Sequence, residues 1–337
     1  MDPSLENTLT SDPSTWVGSS LVSVRQITPS GLRLMFDVSQ EMKTIVRLVG
    51  GDERLKHKIL ANVFYEASTR TSCSFQSAML RLGGRVVCID QLNSSVKKGE
   101  TLGDTIRCLE NYADVTVLRH PIIGSAAEAS TYAEKPVLNA GDGTGEHPTQ
   151  ALLDCFTIQD EFSGRGGGIE GKTVVLLGDL KHGRTVHSLA KLLARSEIPG
   201  VKLRYCSPES LKMPEDVKAE VDKYGLPQEE FSDLREAIAG ADVLYVTRIQ
   251  KERFASEDEY AAVEGSFVVD SELMNEAPKG MIVMHPLPRV GEIKEEVDKD
   301  ERAAYFRQME NGMFVRMALL ALVLGRRCEP QGYKLSK

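Results

Sequence analysis

The chain has 337 residues, enough for two domains, and its 41% hydrophobic and 27% charged content is that of a globular protein. A formal charge of −8 with no Lys/Arg-rich run excludes a broad nucleic-acid-binding surface, though not a local basic pocket for an anionic substrate. No apolar stretch reaches the roughly 18 residues that span a bilayer.

The first 28 residues are polar, with Asp2, Glu6 and Asp12, and lack the basic leader and apolar core of a signal peptide. They read as a flexible tail, or as a linker cut from a longer chain. Thr28-Pro29 opens a helix to about residue 49, with proline in the first turn. Strand 58–65, helix 70–82, strand 85–89, a polar loop 90–100, helix 102–111, strand 114–118, helix 124–133 and strand 136–139 follow. A Gly-rich stretch, 141–145, leads into helix 148–161, and the run 164–168 is the clearest break in composition. A second set comprises strand 172–178, helix 184–195, strand 201–206, helices 215–223 and 233–239, strand 242–247, strand 281–284 and a terminal helix of about 301–325. Such alternation predicts parallel α/β sheets, whose ligands bind at the carboxyl ends of the strands.

Six cysteines (73, 88, 108, 155, 206, 328) contain no CxxC pair, which fits a reducing cytoplasm. His182 and His187 are five apart and miss the spacing of a helical metal pair.

Every chemically suggestive cluster follows a strand. Ser68-Thr69-Arg70-Thr71 lies where strand 58–65 turns into a helix. Unpaired N–H groups of the helix start and the Arg70 fork suit an anion; an ordinary capped helix is the commonplace alternative. Arg119-His120-Pro121 closes the next strand, and His147-Pro148-Thr149-Gln150 starts a helix after the glycines, where His147 can donate to a carbonyl oxygen. The stretch 178–185 imitates two nucleotide motifs but has the wrong glycine spacing for one and Arg184 where the other needs lysine. What survives is a helix start plus Arg184, suited to a carboxylate or phosphate. Arg248-Ile249-Gln250-Lys251-Glu252-Arg253 and His285-Pro286-Leu287-Pro288 end two further strands. The prolines of the latter remove donors and leave carbonyls to be aimed at an amine, and the bond before Pro288 is open to the cis form.

In this order the clusters resemble the aspartate and ornithine carbamoyltransferase family over nearly all of 22–325. Ser-Thr-Arg-Thr, Arg-His-Pro and His-Pro-Thr-Gln are similar to its shared carbamoyl-phosphate half. His-Pro-Leu-Pro, with Lys97-Lys98-Gly99-Glu100-Thr101 and the Arg248–Arg253 segment, is similar to its aspartate branch, since ornithine enzymes carry a cysteine in that turn. Ala67 departs from the proline of many relatives, which bears on rigidity rather than chemistry.

The resemblance implies two parallel-sheet α/β domains: a tail 1–20, a carbamoyl-phosphate domain of 21–160 joined by the returning helix 305–325, an aspartate domain of 161–304, and a tail 326–337. It implies transfer of the carbamoyl group of carbamoyl phosphate to L-aspartate, toward pyrimidines. Ornithine as acceptor and a catalytically silent homologue are the alternatives. By resemblance Ser68, Thr69, Arg70 and Thr71 hold phosphate, and Arg119, His147 and Gln150 meet the carbamoyl group, Arg119 touching phosphate as well. Arg184, Arg248 and Gln250 take the aspartate carboxylates, with Lys98 and Arg119 assisting, and the backbone at Pro286 and Leu287 meets the amine. Ser94 and Lys98 arrive from the neighbouring subunit of a homotrimer, and Glu66 with Arg253 holds the domains closed. Neither metal nor cofactor is implied. Fused or associated carbamoyl phosphate synthetase and dihydroorotase domains are the partners such a chain suits.

Overall fold

Runs of buried aliphatic residues alternate with capped helices, and the computed structural model describes them for residues 8–90, 99–254 and 256–326. The chain divides into two compact units, Met1–Phe156 with Glu310–Lys337, and Thr157–Met309.

In unit one, α1 spans Pro29–Val49. The Thr28 hydroxyl accepts the Gly31 N–H at 3.0 Å, and Gly50 closes the helix at φ 89°, a conformation open to glycine. Then come β1 (Ile59–Phe64), α2 (Thr69–Arg81), β2 (Arg85–Asp90), α3 (Leu102–Glu110), β3 (Val115–His120), α4 (Ser125–Tyr132), β4 (Val137–Asp142) and the start of α5 (Pro148–Ser163). The strands are parallel, in the order β2-β1-β3-β4. β1 is central and reads ILANVF because helices cover both its faces. Ala61, Val63, Ile106, Leu118, Ala129 and Val137 form a core cluster there. Each fully buried Val, Ile or Leu contributes roughly 1.5–3 kcal/mol.

Unit two holds β5 (Thr173–Leu177), α6 (Arg184–Arg195), β6 (Lys202–Cys206), α7 (Glu215–Asp222), β7 (Gln228–Phe231), α8 (Leu234–Ile238), β8 (Val243–Val246), α9 (Glu257–Ala261), α10 (Ser271–Glu276) and β9 (Ile282–Met284). Its strands are also parallel, in the order β7-β6-β5-β8-β9. The terminal helix α11 (Tyr305–Val323) begins in unit two and runs on in unit one. No helix among the described residues is long and apolar enough to cross a membrane.

Three differences from the sequence reading have physical causes. Residues 8–20, expected to be a flexible tail, are packed: Leu9 and Trp16 are buried, and the Trp16 indole donates to the Thr10 carbonyl at 2.9 Å. The segment goes on to pair Leu21 with Leu138, extending the sheet beyond β4. Its apolar residues are too sparse for a periodicity to show. β7 (QEEF) was not expected, because an exposed edge strand has no apolar alternation. α11 starts later than 301, because Arg302 and Ala304 spend their backbone groups on Val283 of β9, at 2.8 Å each.

Candidate active site

In unit one, β1, β3 and β4 are neighbours, and each ends in a predicted cluster. Phe64 pairs with Arg119, and His120 with Asp142, so Ser68–Thr71, Arg119 and His147–Gln150 follow one sheet edge. α2 starts at Thr69 from an extended Ser68, whose hydroxyl makes no capping bond. The first N–H groups of a helix have no acceptor within it, which suits this terminus to an anion. The buried Asn62 Nδ2 of β1 donates to Ser72 Oγ at 2.9 Å, pinning α2 to the sheet.

Arg119 sits where the β3–β4 register shifts between Leu118 and His120. Such irregularities re-aim a side chain. Arg119 is 9% exposed, with Nη1 donating to the Ala140 carbonyl at 3.3 Å and Nη2 lying 3.2 Å from Glu66 Oε2. Glu66, expected to act with Arg253 in closure, is thus an ion-pair partner of Arg119 within its own unit.

After β4 the chain turns through Gly143, whose N–H donates to the His120 carbonyl at 2.9 Å. Asp142 accepts the Gly124 N–H at 2.8 Å and the Glu146 N–H at 2.7 Å. These bonds fix the loop that delivers His147, which is buried, to the start of α5. Gln150 Nε2 donates to the buried Asp154 at 2.9 Å. His120 turns the neighbouring loop as a neutral ring: Nδ1 accepts the Ile122 N–H at 3.2 Å, and burial lowers its pKa.

Sequence reasoning missed Arg316 of α11. Its guanidinium is buried, donates to Ser74 Oγ of α2 at 2.9 Å and lies 5.0 Å from the Phe75 ring centroid. Burial pulls its pKa down to about 10 against the attraction of Asp154. A lone arginine in an apolar helical run was the only signal for it.

In unit two, β5, β8 and β9 are neighbours, and again each ends in a predicted cluster. Gly178 follows β5 at φ 114°, and a Cβ there would lie 2.2 Å from the Thr247 carbonyl oxygen, so only glycine lets the ends of β5 and β8 close up. Arg184 is the first residue of α6. Asp179, fully buried, accepts the His182 N–H at 3.0 Å, and Gln250 Nε2 donates to the His182 carbonyl at 3.3 Å. The loops carrying Arg184 and Gln250 are thereby tied together. Arg248 is half-buried and lines a cavity of about 380 Å³ with Thr247, Tyr260, Glu292 and Lys294. Arg253 is exposed in the turn Lys251–Arg253. Pro286 and Leu287 follow β9, the Leu287–Pro288 bond is cis, and Leu287 has φ 53°. Ser94 and Lys98 lie outside the described residues.

Comparisons with known proteins agree with both halves. Residues 19–160 match the family description "Aspartate/ornithine carbamoyltransferase, carbamoyl-P binding domain", and residues 170–323 match "Asp/Orn binding domain" of the same family. The chain is 52% identical over 308 residues to multifunctional protein pyr1-3 of Dictyostelium discoideum, covering 91% of this chain but only 14% of that protein. It is 50% identical to the aspartate carbamoyltransferase catalytic subunit of Thermococcus gammatolerans, over 92% of this chain and 99% of that one. Among solved structures, aspartate transcarbamoylase from Trypanosoma cruzi in complex with carbamoyl phosphate and aspartate superposes with a TM-score of 0.86 at 43% identity, over 92% of this chain and 98% of that one. The chain belongs to the aspartate/ornithine carbamoyltransferase family.

Proposed function

We propose that this chain transfers the carbamoyl group of carbamoyl phosphate to the amine of L-aspartate, giving N-carbamoyl-L-aspartate and phosphate for pyrimidine biosynthesis. The observation that carries the reading is the delivery of Ser68–Thr71, Arg119 and His147–Gln150 to one sheet edge by three adjacent strands. The T. cruzi relative crystallised with both substrates supports it.

In this reading the α2 terminus with Ser68, Thr69, Arg70 and Thr71 binds the phosphate. Arg119 and His147 donate to the carbonyl oxygen where negative charge develops, and Gln150, oriented by Asp154, holds the carbamoyl amine. Arg184, Arg248 and Gln250 take the aspartate carboxylates, and the Pro286 and Leu287 carbonyls orient its amine. The amine nitrogen attacks the carbamoyl carbon, the C–O bond to phosphate breaks, and a phosphate oxygen accepts the amine proton. Fixed cations and donors supply the rate enhancement through positioning and electrostatics, each donor contributing on the order of 3 kcal/mol.

We further place the chain in the cytoplasm as a homotrimer, with Ser94 and Lys98 contributed by the adjacent subunit. The free thiols at Cys73, Cys88, Cys108, Cys155 and Cys206 support a reducing compartment. Likeness to a segment of multifunctional relatives supports fusion or association with carbamoyl phosphate synthetase and dihydroorotase domains. The test is carbamoyl-amino-acid formation with L-aspartate and L-ornithine side by side: product with aspartate alone is expected. Product with ornithine alone, or with neither, overturns the reading.

A further inference from the structure

β9 hands the chain to His285, which is 1% exposed, and the two ring contacts of this residue fix where its proton sits. The Leu287 backbone N–H points at Nδ1 from 2.7 Å. An N–H only donates, so Nδ1 carries the lone pair and Nε2 carries the hydrogen. Nε2 donates that hydrogen to Glu292 Oε1 at 2.7 Å. The other Glu292 oxygen accepts the Val290 N–H at 2.9 Å, and the Glu292 carbonyl accepts the Val269 N–H at 2.8 Å. Burial would raise the Glu292 pKa, but the bonds from His285 and Val290 outweigh it and hold the group below the usual carboxylate range, so it stays an ionised acceptor. The backbone N–H of His285 is taken by Gln308 Oε1 at 2.9 Å.

What this arrangement holds is uncommon. Leu287 lies at φ 53°, in the left-handed region that a branched side chain adopts only under constraint. The bond from its N–H to Nδ1 is a side-chain-to-backbone turn of the kind asparagine makes two residues on.

We propose that His285, as the neutral Nε2–H tautomer steered by Glu292, is a positioning residue that bends the chain at Leu287 and so aims the Pro286 and Leu287 carbonyls at the acceptor amine. The inference rests on reading unit two as the aspartate half. His285 itself touches no substrate: its Nδ1 is spent on Leu287 and its Nε2 on Glu292. The ring therefore acts only through the bend it holds.

Substitutions at His285 separate its two bonds. Asparagine places an acceptor near Nδ1 and keeps the bond to the Leu287 N–H, while losing Glu292. Glutamine reaches toward Glu292 and loses the turn. The experiment measures kcat and KM for each substrate, with the thermal midpoint, for the full chain and for H285A, H285N and H285Q. H285A and H285Q are expected to raise the aspartate KM about tenfold, the size of one lost orienting hydrogen bond, with carbamoyl phosphate KM little changed. H285N is expected to recover most of that loss. Equal defects in H285N and H285Q, or an aspartate KM unmoved in all variants, overturn the proposal. If H285A does not fold, the contrast of H285N with H285Q decides alone. Wild-type chain making no carbamoyl aspartate removes the reading of unit two and this inference with it, whereas active wild type with indifferent variants removes the inference alone.

Discussion

Glu66 follows Tyr65 at the end of β1, one strand from the arginine it pairs with, and its side chain is 33% exposed against 10% for Arg119. Only the carboxylate end of this pair meets water, so removing Glu66 would leave a buried guanidinium with one partner fewer. The resemblance gives Glu66 a part in closure, and its place beside Arg119 suggests a second part, steering the guanidinium proposed to meet the carbamoyl oxygen. Glu66→Ala is accordingly expected to lower kcat and raise the aspartate KM, read by steady-state kinetics on the folded variant. Steady-state kinetics identical to wild type would remove Glu66 from both parts. At this scale the sequence displayed the cations well, because Arg70, Arg119, Arg184 and Arg248 each stand in a short motif after a strand. It did not display their supports. Asp154, Glu292 and Arg316 act through space on residues near or far in the chain, and nothing in local spacing distinguishes a buried charge from a solvated one.

Helices and strands with strong periodicity were legible to within a few residues. α1 begins at Pro29 and ends at Val49, and α6 spans Arg184–Arg195, as their periodicity and, for α1, its first-turn proline predict. Elements made by tertiary pairing were not: β7 exists because β6 offers it an edge, and the delayed start of α11 exists because β9 offers Arg302 and Ala304 partners. The segment before α1 belongs to the same class. It is anchored at Leu9, Trp16 and Leu21, all with relative exposures of 1% or less, and Ser23 Oγ and the Val24 N–H each reach a Glu146 carboxylate oxygen at 2.8 Å. Trp16→Ala would empty a fully buried site and is expected to cost about 3–5 kcal/mol. Equilibrium denaturation in urea followed by circular dichroism measures this, and a loss under 1 kcal/mol would mean the segment is dispensable to the fold.

At the scale of the molecule, two parallel sheets place the predicted clusters among the described residues at the carboxyl ends of their strands, the edges to which a fold inferred from alternation alone pointed. The proposed trimer rests on resemblance alone. The proposed shared site makes its own prediction: mixing Lys98→Ala chains with Arg70→Ala chains should restore part of the activity that each lacks, because hybrid trimers then contain intact sites. Hybrids no more active than their parents would reject sharing. The buried amino-terminal segment has an optical consequence as well. Trp16 is the only tryptophan in the chain and belongs to unit one, its indole shielded from water and bonded to a carbonyl. Intrinsic emission excited at the red edge of the tyrosine band is therefore a gauge of that unit alone, shifting to longer wavelength as it opens. Dichroism follows the helices of both units, so a difference between the emission and dichroism transitions would distinguish the opening of unit one from that of the whole chain without any label.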